Sequence, residues 1–226
     1  MQVIAIIPAH NEVQRIASTI TGARRIEGLS RVIVVDDGST DGTGKLALQS
    51  GAEVIRLDRN VGKGAALQAG LDLVRNEATI VLLLDADLGE SASQGVILLE
   101  PVHAGAADMT VAILPKPPGS GGFGLVKGLA RIGIARLGKG FEASAPLSGQ
   151  RALNRSAWES ATPFASGYGA EVALTIRALR AGLRVLEVPA VMTHAATGRD
   201  AAGFAHRGRQ FMHVATTLAR LAFERG

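Results

Sequence analysis

Short apolar runs alternate with helical periodicity from residue 3 to residue 87. Val3 to Ile7 reads as a compact strand that stops at Pro8. Asn11 then stands where it can cap a helix over Glu12 to Arg24, with Ile16 and Ile20 on one face. Val32 to Val35 is a second buried run, ended by Asp36-Asp37-Gly38-Ser39. A short helix over Thr43 to Gln49 leads to a strand at Glu53 to Leu57. The turn Asn60-Val61-Gly62-Lys63-Gly64 opens a helix through Arg75, and Thr79 to Leu84 runs as a strand into Asp85-Ala86-Asp87. Strand and helix alternating at this spacing predict parallel βαβ units. Right-handed crossovers bring all of these strand ends to one rim.

The second half is less regular. Met109 to Leu114 reads as a strand, and residues 115 to 122, rich in proline and glycine, read as a mobile loop. Helices are predicted over Phe123 to Leu137 and from Gly167-Tyr168-Gly169-Ala170-Glu171 to Arg180. A last strand covers Arg184 to Val188, and His194 lies just beyond it. No repeat or inter-domain linker is evident.

Composition narrows this picture. The chain has 226 residues, 47% hydrophobic and 19% charged, which is core material for an α/β domain and excludes a disordered chain. The net charge of +4 suits an anionic ligand or surface. With no cysteine there is no disulfide framework, thiolate metal site or cysteine nucleophile, which fits a cytoplasmic protein. Val3 to Ile7 has no basic segment before it and no small-residue cleavage site after it, so it does not read as a signal peptide. No apolar stretch is long enough to span a membrane. Aromatics are only 4%, too few for a base-stacking array, so nucleic acid is not an expected partner.

The candidate chemistry sits at the predicted strand ends. Ligands of open α/β sheets bind at that edge. Asp85 and Asp87, one residue apart, repel each other unless a cation lies beside them. A lone Asp-x-Asp is as often only an acidic turn. Pro8-Ala9-His10-Asn11-Glu12 lacks the Gly-x-Gly-x-x-Gly of an ordinary dinucleotide fold. The Asp36-Asp37 pair is either an Asx-rich turn or a hydrogen-bonding site for a base and a ribose. Lys63 stands at a helix start between two glycines, where it adds a point charge for phosphate; the bland alternative is a solvated lysine.

Taken together and in order, Pro8-Ala9-x-Asn11-Glu12, Asp36 to Thr43, Gly62-Lys63-Gly64 and Asp85-Ala86-Asp87 resemble the family 2 glycosyltransferases of the GT-A fold. The resemblance implies a Rossmann-like α/β fold with a mostly parallel central sheet and helices on both faces. It implies one domain over residues 1–226, with a nucleotide-binding half (1–90) and a sugar and acceptor half (91–226). It further implies a UDP-sugar donor and Mg²⁺ or Mn²⁺ on its diphosphate. By position, Pro8, Ala9, Glu12 and Asp37 would hold the uridine and Lys63 the ribose or phosphates. Asp85 would face ribose and sugar, and Asp87 would ligate the metal.

Pro146-Leu147-Ser148-Gly149-Gln150, the Gly167 to Glu171 turn and His194 look like the glucosyl-3-phosphoglycerate synthase branch of that family. That likeness implies that Gly149 shapes the sugar pocket, that Tyr168 and Glu171 orient the donor hexose, and that His194 joins Asp87 on the metal. It also implies transfer of glucose with retention; Glu171 is the one carboxylate that could serve as base in an inverting enzyme. The branch's acceptor-binding arginine falls here at Leu125, with Lys127 two residues on, and an asparagine near the late histidine falls at Ala196. Both departures weigh against 3-phosphoglycerate as the acceptor.

The tail repeats Phe204, Phe211, Val214, Leu218 and Leu221 at helical spacing, with Arg207, Arg209, Arg220 and Arg225 on other faces. It reads either as a core-facing or dimer-facing helix with a solvated basic side, or as an amphipathic helix on an anionic membrane. The acceptor is accordingly a small molecule or a lipid phosphate, and the chain is cytoplasmic with or without contact to the inner face of the membrane. Two rival readings stand beside the soluble enzyme. One is a polyprenyl-phosphate hexosyltransferase, the other a catalytically silent nucleotide-sugar-binding protein.

Overall fold

The computed structural model describes residues 2–115, 124–165, 167–193 and 201–224, with Tyr168, residues 201–207 and Arg209 described by backbone alone. Seven strands form one sheet: β1 (Val3–Ala9), β2 (Leu29–Asp36), β3 (Glu53–Arg56), β4 (Ile80–Leu83), β5 (Met109–Ile113), β6 (Arg151–Asn154) and β7 (Val185–Pro189). Their order is β3-β2-β1-β4-β6-β5-β7. The first four pair in parallel; β6 runs antiparallel to both β4 and β5, and β7 is parallel to β5.

Alternation along β1 divides the core. Val3, Ala5 and Ile7 meet α1 (Ile16–Arg24) and α4 (Val96–His103) on one face. Ile4 and Ile6 meet α3 (Lys63–Val74), α6 (Arg155–Ala161) and α7 (Ala170–Arg180) on the other. Both faces of β1 are buried, so its sequence shows no polar positions to mark the pleat. A short α2 (Thr43–Gln49) joins β2 to β3.

A third cluster joins α5 (Gly124–Leu137), α7 and the long tail helix α8 (Ala201–Phe223). Val214 and Leu221 of α8 are buried there, and Leu218 packs against the cluster. Arg177 on α7 donates to Glu224 just past α8, at 3.0 Å. The described part of the tail is thus docked on the domain, although Phe211 points outward and is 40% exposed. The residues from 116 to 123 and His194 lie outside the described set.

One expected cap is absent. α1 begins at Ile16 rather than Glu12, and its N-cap, Arg15, makes no side-chain bond to the helix. Asn11 instead takes a left-handed φ of 56°. Its Oδ1 accepts from the Thr40 amide at 3.0 Å, and its own amide donates to Ser39 Oγ at 3.0 Å. The β2 loop claims the side chain that the local pattern assigns to a cap.

Candidate active site

Register builds the site. Parallel pairing of Ala9 with Asp36, and of Ile6 with Leu83, aligns the carboxyl ends of β1, β2 and β4. Antiparallel pairing of Leu83 with Arg151 then carries Gly149 and Gln150 alongside Leu84 and Asp85. One rim therefore receives groups from four strands.

The β1–β2 side of the rim is stitched by hydrogen bonds. His10 Nδ1 lies 2.8 Å from the Asp37 carbonyl oxygen, and the Glu12 amide donates to Thr43 Oγ1 at 2.8 Å. Pro8 and Ala9 end β1, and the Ala9 carbonyl accepts from the Asp37 amide at 2.8 Å. Asp36, fully buried, accepts from the Ser39 amide at 2.9 Å. Asp37 is 4% exposed, and its two oxygens accept from the amides of Val61 (2.7 Å) and Gly62 (2.8 Å). Gly62 has φ +93°, a conformation that favours glycine. In the structure, Asp37 thus holds the turn that opens α3.

Lys63, the first residue of α3, is the hub. Its ammonium lies 2.6 Å from Asp85 Oδ1 and 2.8 Å from Glu171 Oε1. Burial works against its charge, but the two carboxylates outweigh it and hold the lysine pKa above its ordinary value. Glu171 stands in the first turn of α7, 8% exposed, just after the 3₁₀ turn Gly167–Gly169 that contains Tyr168. Gln150 Nε2 donates to Asp85 Oδ2 at 2.6 Å, so both Asp85 oxygens are engaged. Gly149 is required by this closeness: a Cβ there would lie 2.5 Å from Lys63 Nζ and 2.9 Å from either Asp85 oxygen.

Asp87 lies two residues on, partly buried. Its turn is tied down by Thr19, whose hydroxyl donates to the Ala86 carbonyl at 2.8 Å and accepts from the Gly89 amide at 2.8 Å. Glu12 senses the crowding here. Burial raises its pKa first, then the negative charge of Asp87; Asp41 and Asp85 add to the rise and Arg15 opposes it. A rim with surplus negative charge and hard oxygen donors suits a divalent cation such as Mg²⁺ or Mn²⁺. Among the described residues no three His, Cys, Asp or Glu side chains come close enough to hold one alone. The donors present fit a metal whose remaining positions are filled by ligand oxygens; His194 lies outside the described residues.

Lys63, Asp85, Glu171 and Gly149 are thus in contact, with Asp87 and Glu12 beside them and Pro8, Ala9 and Asp37 on the adjoining strand ends. Arg151 and Thr175 belong to the same network without a role read from the sequence, and Gln150 figures in the sequence only as the end of the Pro146–Gln150 run. The signal for Gln150 is its place between Gly149 and a strand pairing with β4. Arg151 and Thr175 carry no local signal, because each is polar and buried only by tertiary contacts.

The seven-stranded α/β sheet, with acids and a lysine at its carboxyl edge, has the GT-A glycosyltransferase fold. The chain is a member of glycosyl transferase family 2, whose model matches residues 4–134. It is 30% identical over 208 residues to an undecaprenyl-phosphate mannosyltransferase of Micrococcus luteus, covering 84% of this chain and 82% of that one. It is 29% identical over 208 residues to the glycosyltransferase AglJ of Haloferax volcanii, covering 88% of this chain but 65% of that relative. Among solved structures it resembles the glucosyl-3-phosphoglycerate synthase of Mycobacterium tuberculosis in complex with Mn²⁺, UDP and glucosyl-3-phosphoglycerate. That likeness has a TM-score of 0.79 and 29% identity, over 97% of this chain and 79% of the other. No helix of the described residues is long and apolar enough to cross a membrane.

Proposed function

We propose that this chain moves a hexose, glucose, from UDP-glucose to an acceptor with retention at the anomeric carbon, using Mg²⁺ or Mn²⁺. The observation that carries the reading is the Lys63 ammonium set between Asp85 and Glu171 against the Cα of Gly149. Its support is the likeness to a synthase whose structures hold Mn²⁺ with UDP-glucose. In this reading Pro8, Ala9, Glu12 and Asp37 line the nucleoside site. Asp87 and His194 hold the metal, which supplies electrostatic stabilisation of the departing diphosphate. Lys63 adds a point charge toward the phosphates. Asp85 accepts hydrogen bonds from ribose and sugar, and Gly149 leaves the hexose its space.

Glu171 and Tyr168 orient the hexose. A carboxylate already held by an ammonium at 2.8 Å suits that task. Retention then has the acceptor attack on the face that the diphosphate leaves, so no protein carboxylate needs to take its proton. The test is donor turnover in Mn²⁺ followed by proton NMR of the product. The α anomer from UDP-glucose is expected, and an inverted product would remove the retaining assignment. No metal-dependent turnover of any nucleotide sugar would favour a silent binding protein.

A second reading, with a polyprenyl phosphate as acceptor, is favoured by one feature of the surface. Leu125, at the start of α5, is 82% exposed where the synthase likeness calls for an arginine. Neither α5 nor α8 contains an acidic residue. The Micrococcus relative and a polyprenol monophosphomannose synthase of Mycolicibacterium smegmatis, 29% identical, carry lipid phosphates in their names. Co-sedimentation with anionic vesicles tests it: failure to bind removes the lipid reading and leaves a small-molecule acceptor and a cytoplasmic location.

A further inference from the structure

Beneath the rim the hydrogen bonds close into a ring. Asp85 accepts from Gln150 Nε2, and Gln150 Oε1 accepts from the Ser148 hydroxyl at 3.2 Å. The Ser148 carbonyl accepts from Arg151 Nε at 2.9 Å, and Arg151 Nη1 donates to Thr175 Oγ1 at 2.8 Å. That hydroxyl donates in turn to the Glu171 carbonyl at 3.0 Å. Lys63 completes the ring between Glu171 and Asp85. Arg151 is 1% exposed, and burial pushes its guanidinium down to about 10 against the opposing pull of Glu171 and Glu187. A charge so placed is costly unless its geometry is used. Here two nitrogens of a rigid fork reach two different elements, which a lysine cannot reproduce.

The third nitrogen, Nη2, has no hydrogen-bond partner among the described residues. Arg151 also lines a small, half-open and mostly apolar pocket of about 10 Å³ together with Glu171, Gly149, Leu67 and Phe164.

We propose that Arg151 is a positioning residue: it braces the Ser148–Gln150 turn against the first turn of α7, and so sets Asp85 and Glu171 against each other. The inference rests on the reading that these two carboxylates face the donor sugar. Arg151 and Thr175 bond to none of Pro8, Ala9, Glu12 and Asp37, and Asp85 is their link to the ribose, so loss of the brace should lower turnover far more than it weakens nucleotide binding.

The test compares Arg151→Met, Thr175→Val and the double variant by hydrolysis of UDP-glucose in Mn²⁺ and by titration of UDP. Each single variant is expected to lose about 10- to 100-fold in kcat, the scale of a small misplacement, with the UDP Kd within about twofold of the parent. The double variant should be no worse than Arg151→Met, because the two residues act through one link. Thr175→Val removes only a hydroxyl, so it carries the test if Arg151→Met does not fold. Parent kcat in Thr175→Val, multiplying losses in the double variant, or UDP affinity lost in step with kcat would each overturn the brace. Amide exchange reads the same link without turnover. Exchange across residues 170–175 should quicken in Thr175→Val, and unchanged exchange would overturn the brace. Were the parent to turn over no donor, the functional reading would fall while the exchange result still decided the brace.

Discussion

Gly149→Ala puts one methyl group into the tightest point of the site. The new Cβ would stand 2.5 Å from Lys63 Nζ and 2.9 Å from both Asp85 oxygens. Real Cβ atoms do not approach so closely, so a neighbour must yield. Asp85 is held on its other side by Gln150 at 2.6 Å, which leaves the lysine tip as the mobile party. A retreat of about 1 Å would carry Nζ out of hydrogen-bond range of Asp85, where it now sits at 2.6 Å. A charge-assisted bond is worth about 1.5–3 kcal/mol when buried. These side chains are 26% and 24% exposed, which brings the stability loss to about 1 kcal/mol. For a chain of this size that lowers the melting temperature by about 2–4 °C. The effect on transfer should be larger, a fall of about 100-fold in kcat/KM, because in the proposed function the displaced groups face the donor. The assay is UDP-glucose turnover in Mn²⁺ beside a thermal melt. Parent-like turnover in a folded Gly149→Ala protein would refute the close-contact argument.

Other substitutions probe other parts of the account. Lys63→Met leaves Asp85 and Glu171 facing each other without their cation, and turnover should fall by about 10²–10³-fold, measured as above. The carboxyl pKa of Asp108 is lowered to about 2, chiefly by its hydrogen bonds from Arg184, against the cost of burial. A depressed acid pKa stabilises the fold above its ordinary value of 3.8 and loses that contribution as pH falls toward 2. Asp108→Asn should therefore cost about 1 kcal/mol at neutral pH by denaturant melts, with the difference from the parent fading between pH 4 and 2. Glu12 has its pKa raised, so its ionised form opposes folding. Glu12→Gln should raise the melting temperature by about 1–2 °C at pH 7 and not at pH 3, while weakening UDP binding.

The residues show why some of this was legible in the sequence and some was not. β1, β2 and β4 are apolar on both faces, so their runs stand out, and the loops that follow them had to meet at one edge. Lys63 was legible as a charge at a helix start, but not its partners, because Glu171 is over a hundred positions away. β6 was hidden: Arg151-Ala152-Leu153-Asn154 has two polar ends, and Arg151 is buried only because Ser148 and Thr175 receive it. The helix α4 was masked by its internal Pro101. Asn11 looked like a cap because caps are local; its actual partners, Ser39 and Thr40, come from another strand's loop.

The proposed function turns on Asp87, beyond the end of β4, holding a metal on which donor binding depends. Thermal melts of the parent and of Asp87→Ala, with UDP-glucose alone, Mn²⁺ alone and both, test it most directly. A ligand that binds the native state at 100 times its Kd stabilises by about 2.7 kcal/mol. The parent should gain several degrees only when UDP-glucose and Mn²⁺ are present together, and Asp87→Ala should gain none. Equal stabilisation without Mn²⁺, or an undiminished gain in Asp87→Ala, would contradict it.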